Sequence, residues 1–193
     1  MKFELVIEAA RLATLNEIAA VHAERAAEWW ENGLAAAHAL DSPADRRHAL
    51  AQLREERKQR RKAGQHFDTR SALVAFYVRR ELDRRGWAGR SWRPVPPGES
   101  AMPGRRWGVP NDGRLTADMS VSLPYEDGDL LRRATWHVSA PATRRLQQIA
   151  KMTGGLPRPV REERDRLRRE VVTTADVIRA AVSAILAAER PTS

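Results

Sequence analysis

Apolar residues recur at helical spacing over much of the chain and alternate in three short places. Leu12, Leu15, Ala19, His22, Ala26 and Trp29 return every three or four residues, so the pattern predicts an amphipathic helix within residues 1–40. Phe3, Leu5 and Ile7 alternate instead, and the first few residues are equally suited to a strand. Gly33 is a candidate interruption of the helix. Asp41-Ser42-Pro43-Ala44-Asp45 supplies a cap residue and a first-turn proline, which predicts a second helix to about Ala63, ended by Gly64. Asp68-Thr69-Arg70-Ser71 opens a third, to about Arg85, with Leu73, Phe76, Tyr77, Arg80 and Leu82 along it and Gly86 at its end.

The pattern then breaks. Residues 87–114 hold Trp87, Trp92 and Trp107 among many prolines and glycines, which excludes a long helix or a central strand there. The stretch reads as a linker, and its tryptophans favour docking onto a neighbour over disorder. Residues 115–123 alternate, with Met119, Val121 and Leu123 on one face of an expected strand. Pro124 stops it, Glu126-Asp127-Gly128-Asp129 is an expected turn, and a return strand begins about Leu130. A short strand is also expected at Ala134-Thr135-Trp136-His137-Val138, with Ala134, Trp136 and Val138 inward and Arg133, Thr135 and His137 outward. Ser139-Ala140-Pro141 then starts a helix to Met152, with Leu146, Ile149, Ala150 and Met152 on its buried face. Arg161 to Glu170 forms a further helix. Thr173 caps a last one, to about Ala188, with Asp176 as the other half of a capping box.

The fold class expected is mainly α with a short β element. Residues 1–86 form an N-terminal helical region, 87–114 a linker, and 115–193 a C-terminal domain.

Charge sharpens this picture. The chain of 193 residues carries a formal net charge of +9, and residues 129–193 hold 13 basic and seven acidic side chains of the 34 and 25 in total. Clustered positive charge attracts polyanions, and Arg suits phosphate and guanine. A GC-rich genome would also enrich Arg, but not cluster it. The basic run Arg54 to Lys62 is either an arm for nucleic acid or a solvated helix laced by pairs such as Glu56 with Arg60. With no cysteine, disulfides, thiolate catalysis and cysteine-based zinc sites are excluded. His22 and His38 read as packing or surface residues, so no metal and no cofactor is expected. No apolar run reaches membrane length, the first residues make a poor secretory signal, and a cytoplasmic location is the expectation.

Thr135 to Ser139, then Leu146-Gln147-Gln148-Ile149-Ala150 with Gly154, then Thr173 to Ala181, resemble the ribbon-helix-helix DNA-binding family, to which the methionine and Arc repressors belong. The resemblance covers residues 134–186, about 53 of 193. It implies a homodimer or higher oligomer on double-stranded DNA, with paired strands in the major groove. It places base contacts at Arg133, Thr135 and His137 and phosphate contacts at Thr173 and Thr174, with Arg179 adding a further one. The chain departs from the family in residues 155–172, an insertion between the two helices. Met119 to Pro124 is a competing position for the DNA-reading strand. Transcriptional repression, plasmid maintenance, partition or transfer are the implied settings.

No phosphate loop, dinucleotide fingerprint, metalloprotease motif or nucleophile elbow occurs, so an enzyme is not expected. The rival reading is a helical adaptor whose Arg-rich faces bind an acidic protein, with residues 1–86 available to a protein partner.

Overall fold

The structure, a computed structural model, describes residues 1–97, 113–152 and 154–189. Within them lie β1 (Lys2–Ile7), α1 (Ala9–His38), α2 (Pro43–Lys62), α3 (Arg70–Arg84), β2 (Ala117–Ser122), α4 (Tyr125–Ala150), α5 (Arg158–Glu170) and α6 (Thr174–Ala188). The fold is therefore mainly α with one small antiparallel sheet. The linker expected over 87–114 is described only at its two ends, and residues 98–112, Trp107 included, lie outside the described residues.

The sheet joins the two strands that alternate most clearly, 110 residues apart. Phe3 pairs with Val121 and Leu5 with Met119. Their common face, with Ile7 and Leu123, lies against the core, while Lys2, Glu4, Asp118 and Ser122 face out. Both outer edges are occupied from within the chain. Arg70 donates to the Ser120 carbonyl at 3.3 Å, and Ser122 N–H donates to the Ser71 hydroxyl at 3.3 Å. On the other edge, Arg179 Nε donates to the Val6 carbonyl at 3.0 Å. An open strand edge is a template for another chain, and these side chains cover it.

The main core packs Leu15 of α1, Leu73, Val74, Val78 and Leu82 of α3, and Leu131 of α4 against the sheet. Val177, Ile178, Ala181, Val182 and Ile185 of α6 and the indole of Trp87 complete it. It draws on both sides of the 87–114 stretch. A second core, of Trp136, Leu146, Ile149, Leu167 and Val171, lies between α4 and α5. The far half of α1 and α2 make a helical hairpin with a thin seam. Gly33 does not break α1. A Cβ there would lie 2.4 Å from a Leu53 methyl, so the glycine lets α2 approach.

Several expected termini hold. Ser42 accepts from the backbone N–H of Ala44 and Asp45 with Pro43 in the first turn, Thr69 caps α3, and Thr173 with Asp176 forms the capping box of α6. The helix expected over Arg161 to Glu170 forms as α5 and begins three residues earlier, at Arg158.

Four expectations fail. The return strand from Leu130 and the strand Ala134 to Val138 are both helix, part of the 26-residue α4. Glu126 and Asp127, expected in a turn, are its first turn, where carboxylates suit the helix dipole. The burial pattern is helical: Leu131, Ala134, Thr135, Ser139, Ala142, Leu146 and Ile149 are buried, while Val138 is exposed. Five residues that alternate carry too little periodicity to separate strand from helix once the neighbours on both sides supply the helical repeat. Ser139 and Pro141 are not a helix start either. Pro141 sits inside α4. The Ser139 hydroxyl instead bonds both backbone groups of Val172, accepting its N–H at 2.8 Å and donating to its carbonyl at 2.9 Å. No single helix among the described residues is long and apolar enough to cross a membrane.

Candidate nucleic-acid interface

The helical course of 134–138 redistributes the three residues expected to read bases. Thr135 is fully buried, and its hydroxyl donates to the Leu131 carbonyl one turn back at 2.7 Å. It faces the core, not a groove. Arg133 forms an ion pair with Asp129 and donates to the Trp92 carbonyl at 3.4 Å. His137 stacks on Trp92, with ring centroids 5.8 Å apart, and its Nε2 donates to the Arg93 carbonyl at 3.0 Å. Arg133 and His137, one turn apart on α4, thus hold down the 87–97 segment. Trp92 in turn donates its indole N–H to the Trp87 carbonyl at 3.0 Å. The tryptophans of this segment dock as their number implied, but on a helix.

The residues expected at phosphates have local partners as well. Thr173 and Asp176 satisfy each other: Thr173 N–H donates to the Asp176 carboxylate at 2.8 Å, and Asp176 N–H donates to the Thr173 hydroxyl at 3.2 Å. Thr174, the first residue of α6, is half-buried. Arg179 is shared between the Val6 carbonyl and Asp176, at 3.0 and 2.9 Å. The start of α6 therefore presents a carboxylate, not a bare helix N-terminus, and it abuts the edge of β1.

Of the competing ribbon at Met119 to Pro124, Met119 to Ser122 lie in β2, and Pro124 already caps α4. The outer face of the sheet joins Lys2 to Glu4 at 3.1 Å and adds Asp118, so carboxylates outnumber the cation. That sign opposes a phosphate-lined groove.

The positive charge collects elsewhere. Residues 125–170, which fold into α4, α5 and the connection between them, contain 11 basic and seven acidic side chains, a net of +4, with three of the acids in the first turns of α4. Leu146, Ile149 and Trp136 face Leu167 and Val171, and the Arg145 guanidinium grips the Glu163 carboxylate with two bonds of 2.8 and 3.0 Å. This pair holds the Glu163 carboxyl below its usual range, through the hydrogen bond and the charge of Arg145. Arg144 lies over the Trp136 ring at 5.9 Å. Lys151, Arg161 and Arg169 are exposed and have no ion pair to a described carboxylate. The clustering of charge beyond residue 129 was visible in the sequence; its placement on a helix pair was not.

The other basic element, α2, is more fully engaged. Arg57 lies over Trp30 and Arg60 over Trp29, each at 4.6 Å, and Arg57 and Arg61 both pair with Asp68. Lys58 pairs with Glu55 and Arg60 with Glu56. Much of its basic run fastens the hairpin to the body. Of the two histidines read as packing residues, His22 meets the edge of Phe67 and lies 3.3 Å from Glu189, and His38 ends α1. No protein-family model, curated protein or solved structure matches this chain.

Proposed function

We propose that the chain binds double-stranded DNA through the α4–α5 helix pair. The observation that carries this reading is the excess of cations on two packed helices and their connection, 11 basic against seven acidic side chains over residues 125–170, with Lys151, Arg161 and Arg169 exposed and in no ion pair with a described carboxylate. Such a surface releases counterions from a phosphate backbone, which is the main source of sequence-independent affinity. The proposal includes no catalysis. It replaces the earlier base contacts at Arg133, Thr135 and His137, whose side chains serve the fold. It is stated per chain, because the copy-to-copy ribbon that implied a homodimer would need the helical segment 134–138 to be a strand.

The adaptor reading competes for the same charge, since an acidic protein is also a polyanion. A titration of the full chain with fluorescent duplex DNA, competed by unlabelled duplex and by polyglutamate, separates the two. The proposal expects duplex to compete at far lower charge concentration than polyglutamate. Equal competition, or an absence of duplex binding at low salt, contradicts it.

A further inference from the structure

Resting on the DNA reading above, we infer that α5 is the element that enters the major groove and reads base edges. Its main packing neighbour is α4, through Val160, Leu167 and Val171. On the opposite side Arg158, Glu162, Asp165 and Arg169 follow at steps of four, three and four residues and form one outward stripe. Arg161 flanks this stripe on one side and Arg166 on the other. The helix has 13 residues, so it is about 20 Å long, and its diameter matches a groove about 12 Å wide.

The order of charges across the helix is the argument. A surface that only lies on phosphates gains nothing from carboxylates at its centre. Glu162 and Asp165 occupy the line farthest from α4, where a helix seated in the groove meets bases, not phosphates. There a carboxylate accepts from the amino group of cytosine, and an arginine donates to the two acceptors of guanine. The flanking Arg161 and Arg166 fall toward the two phosphate strands. The ion pairs of Arg158 with Glu162 at 2.8 Å and Arg166 with Glu170 at 3.6 Å are exposed and cost little to exchange for DNA, whereas the half-buried Asp165 also accepts from Arg164 at 3.0 Å, a bond it would have to share with a base.

The test is selection of bound sequences from a random duplex pool with the full chain, followed by affinities for the selected and a scrambled site. Glu162→Gln and Arg169→Ala are expected to lower affinity for the selected site about 10- to 100-fold and to leave the scrambled site within about twofold. Arg161→Ala and Arg166→Ala are expected to weaken both sites alike and to reduce the salt slope by about one each. All four side chains lie off the α4 contact, and an unchanged thermal midpoint verifies folding. A sequence preference that Glu162→Gln and Arg169→Ala leave intact overturns the inference while the DNA reading stands. Duplex binding without any preference does the same. No duplex binding at all overturns both.

Discussion

Thr135, Ser139 and Glu81 show what a buried polar group does in this chain. Thr135 returns its hydroxyl to its own helix, so Thr135→Val removes a modest bond and little else; duplex affinity is expected to stay within about twofold of the parent. A loss at specific sites only would restore Thr135 as a base reader. Ser139 bonds both backbone groups of Val172, and Ser139→Ala leaves an N–H and a carbonyl without that partner in the half-buried connection between α5 and α6. The expected cost is about 2–4 kcal/mol by denaturant unfolding, and a change under about 0.5 kcal/mol would refute the clamp. Glu81, 7% exposed, accepts from Arg84 and Arg85 at 2.7 Å. The hydrogen bond from Arg84 outweighs burial and holds its carboxyl below the ordinary range. A carboxyl lowered in the folded state contributes stability that is complete above the unfolded value of about 4.3 and is lost as pH falls through the folded one. Glu81→Gln should therefore cost about 1–3 kcal/mol at neutral pH and flatten the fall in stability below about pH 4. An unaltered acid limb would contradict it.

At the scale of elements, the starts and stops of helices were legible because their signals are local. Ser42 before Pro43, Thr69 before α3, and Thr173 three residues before Asp176 act through neighbours in the chain. The alternation of Phe3, Leu5 and Ile7 and of Met119, Val121 and Leu123 was legible as well. That the two pair with each other was not, because the partner of a strand is set by tertiary packing across 110 residues. The segment 134–138 was misread for a related reason: Trp136 and Ala134 are inward on a helix and on a strand alike, and only Thr135 and Val138 discriminate. Among the candidate site residues, the clustered charge was legible; the carbonyls that occupy Arg133, His137 and Arg179 were not, since each is an irregular contact distant in sequence. The close passage of α2 over Gly33 gives a further test. Gly33→Val would place a branched side chain against Leu53, and destabilisation of about 1–3 kcal/mol is expected, with faster hydrogen exchange confined to the hairpin. Exchange that rises uniformly, or not at all, would contradict this packing.

Taken whole, the molecule separates two uses of arginine. In α2, cations lie on Trp29 and Trp30 and on Asp68, and they hold a thin hairpin to the body. On α4 and α5, hydrophobic contacts and the Arg145–Glu163 pair hold the helices together, and Lys151, Arg161 and Arg169 stay exposed. Electrostatic steering acts at long range, but counterion release counts cations at the phosphates, so the two surfaces are separable by salt. The decisive measurement is the slope of log affinity against log salt for the parent, for Lys151→Ala/Arg161→Ala/Arg166→Ala, and for Arg47→Ala/Arg54→Ala/Lys62→Ala, all on one duplex. If α4–α5 is the DNA surface, the first triple variant loses roughly 2.7 from the slope, near 0.9 for each phosphate contact, and the α2 variant keeps the parental slope. A slope preserved in the α4–α5 variant and lost in the α2 variant would contradict the assignment.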